Sequence, residues 1–167
     1  MKHTRAWLLA AGISCTMMMP KLMGNPTEGI VEIGDFEFRE SEALLEIIQS
    51  SDRGLINWNG FSIAPDEITR FIQPGSGSAV LNRVTGGSGS VIEGLLEGNG
   101  QVWLINPSGI LIGPGATVDT AGFLASTLDI ATEEFLSGSE GYSFSGSSQE
   151  AIVNLGTISA SEGDILM

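Results

Sequence analysis

Carboxylates are the candidate catalytic side chains of this chain, and they occur as two adjacent pairs. Asp66 precedes Glu67, and Glu133 precedes Glu134. A glycoside hydrolase needs two carboxylates that face each other at a set separation, whereas neighbours on a strand face opposite sides. We therefore predict capping and solvation for both pairs. A carboxylate-dependent enzyme acting on polysaccharide remains the alternative.

Other reactive side chains are confined to the start of the chain. Histidine, cysteine and lysine occur only at Lys2, His3, Cys15 and Lys21. Beyond residue 24, cysteine nucleophiles, Schiff-base lysines, Ser-His-Asp triads and His-ligated zinc each lack a required side chain. We predict that the protein is not an enzyme and has no catalytic residue, no metal site and no cofactor.

The charge balance excludes one class of partner. Beyond residue 24, four arginines oppose 20 acidic residues, so the net charge there is 4 − 20 = −16. Nucleic-acid binding depends on neutralising phosphates with cations, and we predict no nucleic-acid partner. A self-repelling acidic surface keeps a secreted protein soluble.

The first 24 residues have the pattern of a secretory signal peptide. A basic start, residues 2–5, precedes an apolar run at residues 6–19, which is shorter than the ~18–20 residues that span a bilayer. We predict signal cleavage between Gly24 and Asn25, because Gly24 is small and follows the apolar core. An uncleaved anchor and lipid attachment at Cys15 are the alternatives.

Short apolar runs, each ended by Gly, Asn or Pro, predict strands and tight turns through most of the remaining chain. Strands this short bury too little alone and need a stack, such as a solenoid whose coils bury their inward side chains on each other. The predicted strands are 55–58, 61–63, 68–72, 79–81, 90–92, 102–105, 110–112, 116–118, 123–124, 152–160 and 164–167.

Aromatic and helical signals are fewer. Aromatic residues within apolar strand runs favour core positions over sugar-stacking platforms, and this prediction covers Trp58, Phe61, Phe71 and Trp103. One short helix is predicted at residues 132–136, with Thr132 as N-cap and Gly138 at its end. Residues 138–149 are rich in Gly and Ser and predict a loop.

A tight turn is predicted at Asn106, Pro107, Ser108 and Gly109. Pro107 presets φ at the second turn position, and Gly109 can adopt positive φ without steric cost. After the turn, Ile110 and Ile112 should point to one side of a strand and Leu111 to the other.

The motifs around this turn resemble the two-partner secretion domain of filamentous-haemagglutinin-like exoproteins, also called the haemagglutination activity domain. Two departures are Ser108, where the family usually has Asn, and Gly54, where it usually has Ala. The resemblance extends over nearly all of the chain beyond the leader and rests on residues 49–58, 73–74, 81–87, 99–110, 122–128 and 154–160.

The resemblance implies an all-β fold, a right-handed single-stranded parallel β-helix with short extra-helical hairpins and an N-terminal cap. Residues 25–167 would form the secretion domain, as the N-terminal part of a longer β-helical exoprotein. Residues 41–49 have helix-forming composition with Ser41 as a possible cap, but the resemblance implies strands there, and we predict strands.

The resemblance also implies a route of export. The Sec machinery would deliver the chain to the periplasm of a Gram-negative-type bacterium. A cognate outer-membrane β-barrel transporter would then recognise it through periplasmic domains and thread it outward. There the domain would nucleate β-helix folding of a large adhesin- or haemagglutinin-like passenger, secreted or held at the cell surface. The passenger's region beyond residue 167 would contact host or bacterial surfaces. A stand-alone surface-binding module without a transporter is the other alternative.

The residues predicted for transporter recognition are Asn106, Pro107, Ser108, Gly109 and Ile110. In one interpretation the segment is a turn needed for folding, with Gly109 at positive φ and Ile110 buried. In the other, the turn also presents exposed Asn106 and Ser108 side chains to the transporter, as the resemblance implies.

Overall fold

The chain winds in coils, and three successive coils each contribute one strand to all three sheets of the stack. The computed structural model describes residues 24–138 and 141–167, so the predicted leader lies almost entirely outside the described residues. In chain order the strands are β1 (Ile30–Ile33), β2 (Phe36–Glu40), β3 (Leu44–Gln49), β4 (Arg53–Trp58), β5 (Ile68–Ile72), β6 (Ala79–Val84), β7 (Ser90–Ile92), β8 (Leu95–Gly98), β9 (Gln101–Ile105), β10 (Ile110–Ile112), β11 (Thr117–Thr120), β12 (Gly122–Ser126), β13 (Asp129–Ile130), β14 (Phe144–Ser145), β15 (Ile152–Asn154), β16 (Thr157–Ala160) and β17 (Ile165–Leu166).

The sheets are parallel except at their N-terminal ends. Sheet 1 has the order β2-β3-β5-β8-β11-β16, sheet 2 the order β1-β4-β6-β9-β12-β17, and sheet 3 the order β7-β10-β15. β2 pairs antiparallel with β3, and β1 pairs antiparallel with β4, which closes the N-terminal end of the stack. The predicted parallel β-helix is confirmed, and it makes about three turns.

The inner core forms because alternate side chains of each strand point between the sheets. On sheet 1, Leu45, Thr69, Leu96 and Val118 share one inward register, and all four are buried. Trp58, Phe61 and Phe71 also belong to this core, which confirms their predicted role.

A second core lies outside the coils, on the outer face of sheet 2. It contains Trp103, Leu124, Ile130 and Phe135. The covering layer, which we call the strap, consists of residues 129–138 and 141–145 and includes β13, the helix α1 (Thr132–Ser137) and β14. Trp103 is therefore buried as predicted, but beneath the strap and not between the sheets.

Two local predictions are wrong. Thr132 is the first residue of α1 and not its N-cap. Ala131 occupies the N-cap with ψ 133° and gives no side-chain cap hydrogen bond, because the extended backbone of β13 continues up to Ala131. Residues 61–63 contain only an isolated bridge from Ile63 to Ile92.

Other local predictions are confirmed. The strand prediction for residues 41–49 is confirmed by β3, and the end of the helix at Gly138 is confirmed by its left-handed φ of 62°. The sequence did not indicate β8, which pairs with strands of the neighbouring coils, or β13 and β14, which pair with each other within the strap. Within residues 24–138 and 141–167, no helix is long and apolar enough to cross a bilayer.

Candidate functional site

The segment predicted for recognition forms the tight turn between β9 and β10. The Gly109 N–H donates to the Asn106 carbonyl over 3.1 Å, and the Ser108 N–H donates to Asn106 Oδ1 over 2.9 Å. Gly109 has φ +97°, a conformation that glycine adopts without the steric cost of a Cβ. The predicted turn and its positive-φ glycine are both confirmed.

The Asn106 side chain points into the stack, with an exposed fraction of 1%. Its Nδ2 donates to the Ser88 carbonyl and to Ser90 Oγ, each over 2.9 Å. The expectation of an exposed Asn106 side chain is wrong, because in a stacked coil the turn lies beside the preceding coil, whose serines supply partners for a buried amide. Asn106 therefore links two coils.

The residues after the turn alternate as predicted. Ile110 and Ile112 are 2% and 0% exposed, whereas Leu111 is half-buried. Ile110 lies in register with Ser90 of β7 and Ile152 of β15, so it packs within a three-coil stack. In the folded domain, Pro107 is exposed and Ser108 is half-buried.

A groove of about 300 Å³ lies beside the turn. Pro107 and Ser108 line one side of it, and Arg83 and Asp129 form an ion pair in its wall, with 3.0 Å between Arg83 Nε and Asp129 Oδ1. Because Arg83 also donates to the Ile130 carbonyl over 3.1 Å, this cation is engaged with the strap.

Motif residues elsewhere in the resemblance also hold coils together. Asn99 Oδ1 accepts from the Gln73 N–H and Asn99 Nδ2 donates to the Gln73 carbonyl, each over 2.7 Å. The buried Gln73 side chain donates from Nε2 to Gln49 Oε1 over 3.2 Å. Gly100 must be small here, since a Cβ would lie 2.6 Å from Gln73 Cδ. The motif residues therefore form ladders of amides between coils.

Asn82 forms a second buried link. Its Oδ1 accepts from Trp58 Nε1 over 2.9 Å, and its Nδ2 donates to the Trp103 carbonyl over 3.1 Å. Asn82 is fully buried, at 0% exposure. A buried indole N–H needs such an acceptor, and Asn82 supplies it for Trp58.

The two carboxylate pairs act as local acceptors. Glu67 Oε2 accepts from the Ala64 N–H over 3.2 Å while Asp66 is exposed. Glu134 Oε1 accepts from the Ser143 N–H over 2.6 Å. These contacts agree with the capping role predicted from the sequence.

A surface groove of about 530 Å³ lies at the C-terminal ends of β5, β8 and β11 in sheet 1 and includes Arg70, Glu97 and Asp119. Arg70 pairs with Glu97 and, over 3.1 Å, with Glu46. Hydrogen bonds with Glu97 first, and with Glu46, raise the pKa of Arg70 above its ordinary value. In the described part of the chain, no three His, Cys, Asp or Glu side chains are grouped as metal ligands would be.

Comparison with known families agrees with this architecture. The model of the TPS secretion domain, for two-partner secretion, matches residues 32–166. The chain belongs to the TPS secretion domain family. A solved structure of the HMW1 secretion domain from Haemophilus influenzae matches 80% of this chain and 36% of that chain, with 38% identity and a TM-score of 0.74.

Two relatives are heme/hemopexin-binding proteins of Haemophilus influenzae. One is 40% identical over 100 residues, which is 60% of this chain and 11% of the relative. The other, from strain Rd, is 36% identical over 105 residues, which is 63% of this chain and 12% of the relative. The chain thus spans about a ninth of the relatives it matches.

Membership in the family makes this chain the secretion domain of a two-partner secretion exoprotein. It implies a cognate outer-membrane transporter and secretion from a Gram-negative bacterium. The sequence did not identify Ser88 and Ser90 as partners of Asn106. The signal that could have identified them is their spacing. They lie 18 and 16 residues before Asn106, which is about the length of one coil.

Proposed function

We propose that the transporter's periplasmic domains read residues 106–110 before this domain folds, and that the same residues then join two coils after export. The observation that carries this proposal is burial. Asn106 and Ile110 are 1% and 2% exposed, so a transporter reading their side chains must meet them in an unfolded chain.

The folded turn offers a partner little of the motif. Pro107 is exposed, but its carbonyl already accepts from Ser148 Oγ over 2.7 Å. Ser108 is half-buried and its N–H is used within the turn. An extended chain presents all five residues at once, and the lack of cysteine beyond residue 24 leaves that chain without disulfide cross-links.

The route to the transporter begins with the leader. We propose that residues 1–24 direct the chain to the Sec machinery and are removed between Gly24 and Asn25. Asn25 lies next to the folded coils, where its Oδ1 accepts from Thr69 Oγ1 over 2.9 Å. N-terminal sequencing of secreted protein tests the cleavage site, and a mature chain beginning at lipid-modified Cys15 would contradict it.

The passenger is outside this domain. We propose that the coils serve as a template on which a longer β-helix, adhesin- or haemagglutinin-like, stacks after export, and that contacts with host or bacterial surfaces belong to that region. Binding of heme or hemopexin, the property that names two relatives, is assigned there as well. His, Cys and Tyr are common axial ligands of heme iron. Beyond residue 24 the chain has no His or Cys and has one tyrosine, Tyr142.

The experiment must separate recognition from folding. Asn106→Ala removes three hydrogen bonds and should destabilise the domain. The matched control is Asn82→Ala, because Asn82 is equally buried and also makes inter-coil bonds but lies outside the segment. We expect both variants to lose stability by roughly 1–3 kcal/mol, and only Asn106→Ala to lose most of its export by the cognate transporter.

A peptide experiment removes folding altogether. A synthetic peptide covering residues 99–112 should bind the transporter's isolated periplasmic domains, and its Asn106→Ala version should bind at least about tenfold more weakly. Ser108→Asn, which restores the usual family residue, should bind as well as the original. Equal binding by the wild-type and Asn106→Ala peptides would remove Asn106 from the recognition site.

A further inference from the structure

The outer face of sheet 2 carries a continuous apolar ladder. Leu55, Leu81, Trp103 and Leu124 occupy one register on four neighbouring strands. Their exposed fractions are 0%, 0%, 5% and 4%, although they point away from the inner core. The strap covers this ladder through Ile130, Phe135, Tyr142 and Phe144, and Ile33 of β1 also packs against the cluster.

Aromatic contacts seat the strap on this ladder. The Trp103 ring meets Phe135 and Tyr142 edge-on, with centroid distances of 5.2 and 4.7 Å, and Phe144 at 6.4 Å. The Trp103 indole therefore contacts both arms of the strap, which are the helix α1 and the segment 141–145 after it.

Two arginines of sheet 2 hold the main chain of the strap, one on each side of the ladder. Arg53 donates from Nη1 to the Phe135 carbonyl over 2.7 Å, and its guanidinium lies 5.2 Å from the Phe135 ring centroid. Arg83 donates to the Ile130 carbonyl and pairs with Asp129. The Arg53 bond joins residues that are 82 positions apart in the chain, and the Arg83 bonds join residues that are 46 and 47 positions apart.

The strap has little structure of its own. It consists of a six-residue helix and a two-residue antiparallel pair, β13 with β14. Helices and hairpins this short are not stable in isolation, so the strap is ordered by what it docks on. The coils, by contrast, are joined by ladders of five or six paired residues between β4 and β6 and between β6 and β9.

We propose that the strap undocks from and redocks on the outer face of sheet 2 as one unit while the coils stay intact. Arg53 and Arg83, which we call the clasps, hold it in the docked state. Its docking face is complete only when β4, β6, β9 and β12 have paired, and all four precede the strap in the chain. Closure therefore follows stacking. Given the proposed function, the exported chain would close the strap as a late step of domain folding.

Hydrogen exchange followed by mass spectrometry on the purified protein tests this proposal. Arg53→Met combined with Arg83→Met should accelerate exchange of strap amides by about tenfold or more, because each arginine supplies a charge-assisted bond to the strap. Amides of β4, β6 and β9 should keep their slow exchange. The double variant should also retain the β-type circular dichroism of the wild type.

The matched control is Arg39→Met combined with Arg70→Met, which removes the same two charges from pairs that do not touch the strap. It should leave strap exchange unchanged. The proposal is overturned if strap and sheet amides accelerate together, if the control has the same effect, or if the clasp variant loses its β-type circular dichroism. No transporter is present, so the outcome is independent of whether residues 106–110 are recognised.

Discussion

Sheets 1 and 2 belong to the same coils but present opposite chemistry on their outer faces. At one outward register sheet 1 carries Glu46, Arg70, Glu97 and Asp119, and these residues are half-buried or exposed. The equivalent register of sheet 2 carries Leu55, Leu81, Trp103 and Leu124, all buried beneath the strap. The coil backbone does not determine whether an outer face is polar or apolar. The outward side chains determine it, and an apolar face needs a covering layer.

The arginines on the two faces do different things. Arg70 on sheet 1 binds carboxylates at the surface, where solvent screens the interaction. Arg53 on sheet 2 binds a main-chain carbonyl of the strap and packs on an aromatic ring. Removing a cation should therefore cost more on sheet 2 than on sheet 1. The following variants test how the two outer faces differ.

Trp103→Ala should have the largest effect. It removes the residue on which both arms of the strap pack, and truncating a buried aromatic costs roughly 3–5 kcal/mol. Leu95→Ala is the comparison on sheet 1, where Leu95 is half-buried and truncation should cost about 1 kcal/mol or less. Urea denaturation monitored by circular dichroism measures both. Equal losses would mean that the two outer faces do not differ energetically.

Gly138→Ala should have the next largest effect. Gly138 has φ +62°, and a Cβ there would lie 2.9 Å from Arg53 Nη2, so the variant combines backbone strain of about 1–2 kcal/mol with displacement of a clasp. Gly141→Ala is the control, because Gly141 also has positive φ, +94°, but opens into free space. We expect faster exchange of strap amides for Gly138→Ala than for Gly141→Ala.

Arg70→Met should destabilise the domain by only about 0.2–1 kcal/mol, the usual range for surface ion pairs. The loss should shrink in 1 M salt, where the screening length falls to about 3 Å. Since the pKa of Arg70 is raised by Glu97 and Glu46, the associated stabilisation is present throughout neutral pH and is lost only as pH rises into the strongly alkaline range. A loss that persists in high salt would contradict the surface interpretation.

Asp119→Lys should give a change as small as that of Arg70→Met, but in the opposite direction. Asp119 lies in register with Glu97 on the neighbouring strand, so a lysine would replace repulsion by attraction and stabilise the domain by about 0.2–1 kcal/mol. Asp119→Asn, which removes repulsion without adding a cation, should give part of this gain. A lower denaturation midpoint for Asp119→Lys would show that this face is not governed by charge.

Local patterns in the sequence were sufficient wherever a strand carries its own signal. The bounds of β5, β7 and β10 match the predicted strands 68–72, 90–92 and 110–112, because each ends in a short apolar run that is followed within two residues by Gly or Pro. Gly109 and Gly138 were predictable for the same local reason, since each ends an element at positive φ. The prediction of a parallel β-helix came from the resemblance in motifs, because no single strand indicates how the strands stack.

Partners from distant coils account for what was missed. Asn106 was expected to be exposed because the turn considered alone leaves its amide free, yet Ser88 and Ser90 lie beside it after stacking. Thr132 resembled an N-cap, but the preceding residues are held extended by pairing of β13 with β14. The strap was predicted as a short helix and a loop, with no indication of what it covers.

The sequence by itself determined that the chain is built from short strands, that it is strongly acidic beyond residue 24, and that the chemistry of histidine, cysteine and lysine is absent there. These properties follow from residue type and local spacing. Only the tertiary structure decided which face of Trp103 is covered, which carbonyls Arg53 and Arg83 hold, and that Asn106 points inward. Each of these depends on the register between coils, which brings together residues that are 16 to 82 positions apart in the chain. A local sequence pattern does not encode that register.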